Sequence, residues 1–218
     1  MLEILDATSK KGISWYFRKR RMRRFLEYLH GLNKEKIYIL DLGGTTFFWE
    51  QLGLANSEKI EIALLNLAPQ TTTFRNMKFV AGDVANLNTY PHGPFDIIFS
   101  NSVIEHLFTY ENQQKMASNI LNAGAKVFIQ TPNFYFPIEP HFMFPCFHFF
   151  SKQFRIFLLR NFSLGSYTKM PDNQSAEIAV DEITLLRPRQ MAELFPTLKI
   201  GYEKLFFMNK SIIAQNLY

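Results

Sequence analysis

The chain of 218 residues suits one domain, and a composition of 47% apolar and 20% charged residues excludes disorder, collagen-like repeats and a disulfide scaffold. The net charge of +5 is not spread evenly: residues 1–36 carry ten basic and four acidic side chains, and the remaining 182 carry fourteen and fifteen. One cysteine, Cys146, fits a reducing compartment; with no signal peptide expected at the N-terminus and no apolar run near the ~20 residues that cross a bilayer, the chain is expected in the cytoplasm.

In chain order, Met22, Phe25, Leu26 and Leu29 recur at helical spacing between Trp15 and Leu29, and Gly31 stops the run. The rest of that helix surface carries Arg18, Lys19, Arg20, Arg21, Arg23 and Arg24, expected either as a solvated face or as a contact for phosphate. Short apolar runs follow at 37–41, 60–65, 77–81, 95–100 and 125–130, with a helix through Met116, Ile120 and Leu121 before the fifth. Strands alternating with helices predict an α/β fold around a parallel sheet covered on both faces. A short helix near Pro188–Leu194 and a hairpin from Leu198–Phe206 and Ser211–Gln215 close the chain. Ten phenylalanines fall between Phe134 and Phe162, a segment expected to pack on the sheet as a lid or else to stay partly exposed.

In an open α/β sheet, ligands bind beyond the carboxyl ends of the strands. The first strand ends in Asp41-Leu-Gly43-Gly44, where glycines let the backbone turn and approach a ligand. The second ends in Leu65-Asn66-Leu67, the third in Gly82-Asp83-Val84, and the fourth in Ser100-Asn101-Ser102 before Val103-Ile-Glu105-His106. Neither the G-x-G-x-x-G spacing nor a G-x-x-x-x-G-K-[ST] loop occurs, which disfavours a pyrophosphate ligand.

As a set, these strand ends resemble the class I S-adenosylmethionine-dependent methyltransferases, nearest the broad type 11 small-molecule group, over residues 37–131. The resemblance implies a Rossmann-like, doubly wound, mostly parallel sheet of about seven strands with an antiparallel C-terminal strand. It divides the chain into a basic helical segment, 1–36, and a methyltransferase domain, 37–218, with a substrate-side insertion at 134–186. S-adenosylmethionine is the implied cofactor. Asp41, Gly43 and Gly44 would lie under its methionine part, Asn66 and Leu67 at the ribose, Asp83 and Val84 at the adenine, and Asn101 near the methyl. Thr45-Thr46 stands where the family usually has a third glycine, and Asn66 where it usually has a carboxylate.

The segment Gln130–Pro145 resembles a block in bacterial methyltransferases of this group, some of which accompany cell-surface polysaccharide genes. Tyr135 is the expected substrate contact. A hydroxyl acceptor needs a proton acceptor, for which His106 and His141 are candidates, with Glu139 as orienter or alternative. Glu105 is expected to cap or orient locally. Some similar proteins hold a divalent ion with a carboxylate three residues before a Glu-His pair; Ser102 stands there, so no metal is expected. The expected reaction is methyl transfer to a small molecule or saccharide intermediate, at oxygen. The alternatives are a non-catalytic cofactor-binding module recruited to a membrane or RNA by the basic helix, and an RNA methyltransferase. An anionic membrane surface is the partner expected for that helix, and a nucleic acid is disfavoured by the near-neutral remainder.

Overall fold

Runs such as Ile37–Leu42 and Ile60–Asn66 put large apolar side chains on both faces of an extended backbone, which only a sheet covered on both sides can bury. The computed structural model, which describes residues 13–86 and 93–217, contains that sheet. Its strands are β1 (Ile37–Leu42), β2 (Ile60–Asn66), β3 (Met77–Ala81), β4 (Ile97–Asn101), β5 (Lys126–Pro132), β6 (Lys199–Leu205) and β7 (Met208–Gln215), in the order β3-β2-β1-β4-β5-β7-β6. β1 to β5 pair in parallel, and β7 runs antiparallel between β5 and β6. The chain winds outward from β1 to β3 and then returns to the other side of β1, so the switch point lies between β1 and β4.

Among the described residues, six α-helices cover the sheet and its connections: α1 (Ile13–Gly31), α2 (Thr46–Gln51), α3 (Tyr110–Asn122), α4 (Lys152–Asn161), α5 (Asn173–Glu182) and α6 (Pro188–Leu194). On one face, Met22, Phe25 and Leu29 of α1 and Trp49 of α2 pack on Ile39, Ile62, Phe99 and Phe128. On the other, Met116 and Ile120 of α3 and Met191 and Leu194 of α6 pack on Leu40, Leu42, Ile98 and Ile129. Phe25 is the centre of the first layer, its ring 5.1 Å from Phe99, 5.4 Å from Phe128 and 6.2 Å from Trp49.

The expected strands and the C-terminal hairpin form, with shifted ends: β4 starts at Ile97, after a bend at Asp96 whose carboxylate accepts from the Tyr38 N–H at 2.9 Å. Three expectations are corrected. The helix-strand alternation is incomplete, since the β2–β3 connection has no helix; Pro69 and the run Thr71–Thr73 disfavour one. Arg21 is not part of a solvated face. Its side chain is 9% exposed and bridges Glu203 Oε2 and Asn101 Oδ1, both at 2.8 Å, fastening α1 to β6 and β4.

The third correction concerns the phenylalanine-rich segment, which does not lie on the sheet. It builds a satellite core of its own, with Phe142 and Phe147 stacked at 4.0 Å and packed with Leu158 and Leu159 of α4 and Ala176, Ala179 and Val180 of α5. Phe149, Phe154, Phe157 and Phe162 stay exposed, and Cys146 is half-buried rather than core. The two ends of the segment meet: the Phe134 N–H donates to the Leu186 carbonyl at 3.1 Å. Among the described residues, no helix is long and apolar enough to cross a membrane.

Truncating the ring at the centre of the first layer tests this packing. Phe25→Ala is expected to cost about 3–5 kcal/mol, read as a lower urea midpoint with an unchanged slope.

Candidate active site

The turn after β1 is shaped by a buried carboxyl group. Asp41 is 1% exposed and accepts a hydrogen bond from Trp49 Nε1 at 2.6 Å. A side chain at position 44 would place its Cβ 1.6 Å from Asp41 Oδ2, so only glycine fits there. Gly43 has φ +71°, and a Cβ on it would lie 2.7 Å from Val103 Cγ2. Thr45 then caps α2, its Oγ1 accepting from the Phe48 N–H at 3.3 Å, which makes a third glycine unnecessary. The result is a loop of bare backbone over the buried Asp41 carboxyl.

Beside this loop lies a cleft of about 330 Å³, lined by Gly43, Asn66, Leu67, Asp83, Val103 and His106 among others. Its volume is in the range of small-molecule sites, ~300–1,000 Å³. Asn66 Nδ2 donates to the Gly44 carbonyl at 3.0 Å, tying the ends of β1 and β2 together. Asp83 Oδ1 accepts from the Ala85 N–H at 2.9 Å, and the Val84 carbonyl accepts from Asn119 Nδ2 of α3 at 3.0 Å. Leu67 stands 80% exposed at the rim. Gly43, Asn66, Leu67, Asp83, Val84 and His106 thus meet in one cleft, with Asp41 and Gly44 directly behind its first loop. Asn101 does not line it, because its side chain is turned to Arg21 on the α1 face of the sheet. Tyr135, 59% exposed, is also absent from the lining.

A second group of residues adjoins the cleft through His106. The rings of His106 and His141 stand edge to face at 4.7 Å, and the buried Glu105 is beside both. Each imidazole is held at Nδ1 by a carboxylate: His106 by Glu182 Oε1 at 3.1 Å, and His141 by Glu139 Oε1 at 2.5 Å. Glu139 Oε2 also accepts from the backbone N–H groups of His141 and Phe142, both at 2.9 Å. The His141 carbonyl accepts from Ser166 at 3.0 Å, and a Cβ on Gly165 would lie 2.2 Å from that oxygen. His141 is therefore fixed on both sides. Thr131 Oγ1 donates to Glu105 Oε2 at 2.9 Å, while Glu105 Oε1 is buried with no partner. Glu105, His106 and His141 each offer one ligand atom, and these atoms all lie within 4.8 Å of one another, so the three residues could hold a cation.

Electrostatics separate the two histidines. Burial, reinforced by the neighbouring His141, lowers the His106 pKa. Burial opposes protonation of His141 as well, but Glu139, Glu105 and Glu182 outweigh it and hold its pKa above that of an ordinary histidine. Burial pushes Glu105 up to about 7. Glu182, at the end of α5, and the carboxyl of Glu105 were not selected from the sequence as members of this group. Glu182 lies 76 residues from its partner His106, a separation that no local pattern reports.

The methyltransferase-domain family model matches residues 14–197. The chain belongs to this family. Its cofactor is the one the strand ends implied, S-adenosylmethionine. The match begins inside α1, so the basic helix lies within the matched region. Two uncharacterized proteins from strains of Mycobacterium tuberculosis are 30% identical over 110 residues, half of this chain and 36% of theirs; the chain thus spans about a third of the length of these relatives. In fold, it is similar to an S-adenosylmethionine-dependent methyltransferase from Archaeoglobus fulgidus, with a TM-score of 0.52 and 16% identity over 96% of this chain and 97% of that one. It is also similar to magnesium protoporphyrin IX methyltransferase from Synechocystis, with a TM-score of 0.52 and 10% identity over 94% and 81% of the two chains.

Burial pushes the Asp41 carboxyl up to about 8, against the opposing hydrogen bond from Trp49. From about pH 4 to about pH 8 the unfolded chain releases this proton and the folded chain keeps it, so stability falls as pH rises through that window. Glu105 acts in the same direction up to about 7. Asp41→Asn is expected to make the fall shallower, measured by thermal unfolding of the cofactor-free protein across the same range.

Proposed function

We propose that the chain transfers a methyl group from S-adenosylmethionine to an oxygen of a small molecule, with a saccharide intermediate as the favoured acceptor. One observation carries the reading: His106 belongs both to the strand-end cleft and to the adjoining group formed with Glu105 and His141. The bare loop at Gly43 and Gly44 fits the cofactor, because Val103 and Asp41 exclude a side chain at these two positions and leave backbone at the wall of the cleft. S-adenosylmethionine supplies a methyl that is already activated on a sulfonium, so the protein's main task is alignment.

The chain's own residues divide that task. Asn66 and Asp83 offer polar groups to the nucleoside part, and Leu67 covers it from the rim. The acceptor's hydroxyl is activated at the histidine pair, where Glu139 and Glu182 fix both rings and leave Nε2 of each free of these anchors. A polyhydroxyl acceptor suits a site whose groups are imidazole and carboxylate. The resemblance of the Gln130–Pro145 segment to a block found beside polysaccharide genes supports a saccharide, with Tyr135 as the outer contact.

Calorimetry with S-adenosylmethionine and its demethylated product is the direct test. Asp83→Ala is expected to weaken both by at least tenfold. His141→Ala is expected to keep cofactor affinity within about twofold and to slow transfer ~10²–10⁴-fold. Unchanged turnover would remove His141 from the mechanism.

An anionic membrane surface is the proposed partner of α1. Arg20, Arg23, Arg24 and Lys204 line a hollow of about 330 Å³, next to a hairpin tip where Phe206 and Phe207 are 82% and 100% exposed. Each basic side chain near such a surface contributes ~1 kcal/mol, and the exposed rings supply the apolar signal. The protein is expected to float with liposomes containing anionic lipid and not with neutral ones. Triple replacement of Arg20, Arg23 and Arg24 by Ala is expected to abolish flotation, and no flotation of the parent protein overturns the proposal.

A further inference from the structure

We propose that Glu105, His106 and His141 form a binding site for a divalent first-row transition-metal ion. The inference deepens the reading above and rests on it, since it assigns the activation of the acceptor's oxygen to an ion held beside the cleft. The donor set is two imidazoles and one carboxylate, a combination suited to zinc, cobalt or iron(II) rather than to magnesium.

Two independent observations point to a ligand. The first is Glu105 Oε1, a carboxylate oxygen with no partner in a fully buried side chain, while its twin Oε2 is held by Thr131. Leaving a buried polar atom unpaired is costly, and the carboxylate that carries it has an oxygen within 4.8 Å of a ring nitrogen of each histidine. The second is the outer support. Metal-bound histidines characteristically pass their other ring N–H to a carboxylate, which fixes tautomer and orientation. Both histidines here do so, His106 to Glu182 and His141 to Glu139, which leaves Nε2 of each ring as the available donor.

The spacing also fits a cation once the rings close in. Two donors 2.0–2.1 Å from one ion at a tetrahedral angle are about 3.4 Å apart, so donors 4.8 Å apart must close by roughly 1.4 Å. The His106 side chain is 31% exposed on the cleft and has room for it. Three protein ligands leave further coordination positions open, as in catalytic rather than structural sites. His106 lines the cleft, so an acceptor oxygen has a route to those positions.

The test uses tag-free full-length protein stripped with chelator and titrated with cobalt(II), followed by visible spectroscopy, and with zinc(II), followed by calorimetry. One ion per chain is expected, with cobalt d–d bands of mixed nitrogen and oxygen coordination. His141→Ala and Glu105→Gln are each expected to weaken binding at least tenfold and to change the spectrum, and Glu139→Gln to weaken it ~10-fold through the outer support. Circular dichroism confirms that each variant is folded. Absence of saturable binding to the parent protein overturns the site, as does binding that neither His141→Ala nor Glu105→Gln alters. The same samples are titrated with S-adenosylhomocysteine. Nucleoside binding without ion binding rejects the metal site and leaves the methyltransferase reading standing. Ion binding without nucleoside binding supports the site and overturns that reading.

Discussion

A protonatable carboxyl group buried at the end of the central strand sets the geometry around it. Asp41 lies under the first loop with Trp49 as its partner, and its oxygens occupy the space that any side chain at position 44 would need. The loop must therefore pass over it as bare backbone, and the residue before it turns through a left-handed conformation against Val103. α2 begins immediately afterwards on Thr45. Floor, loop and following helix are thus fixed by one side chain, and the cleft takes its first wall from them.

The two faces of the sheet divide the remaining work. Odd-numbered positions of β1 and β4 face α1 and α2, so Asp41, Phe99 and Asn101 belong to the layer centred on Phe25. Arg21 crosses that layer to reach Asn101 and Glu203, and its burial makes it a strut rather than part of a charged surface. Breaking such a pair from one side would leave an uncompensated buried charge, typically a loss of 3–5 kcal/mol. The basic character of α1 thus has two parts: one arginine turned inward, and Arg20, Arg23 and Arg24 lining the outer hollow.

Strand positions and the strand-end residues were legible because they depend on local pattern: apolar runs bounded by glycine, asparagine and aspartate. Gly43, Asn66, Asp83 and His106 follow each other through successive strand ends, and a parallel sheet brings such ends together. What the sequence concealed was long-range. In the cluster proposed to bind a cation, Glu105 and His106 are joined not by Ser102, three residues before Glu105, but by His141, in another segment. Glu182 and Arg21 escaped for the same reason, their partners lying 76, 80 and 182 residues away. Leu67 and Asn101 illustrate the opposite limit: one follows β2 directly and the other is the last residue of β4, but only the first faces the cleft.

The closed ends of the phenylalanine-rich segment carry a consequence for how this scaffold can vary. The segment leaves β5 at Asn133 and returns at Leu186, where the backbone is stitched to Phe134, and its apolar side chains are packed against one another. Besides this staple it touches the loop after β4, where the Thr184 N–H donates to the Glu105 carbonyl at 2.8 Å and Glu182 holds His106, so it is a cassette with an apolar core of its own. The cassette also delivers Glu139, His141 and Glu182 as a set. Exchanging it would replace His141 and the carboxylates that hold both histidines in a single step, with Gly43, Asn66 and Asp83 left as they were.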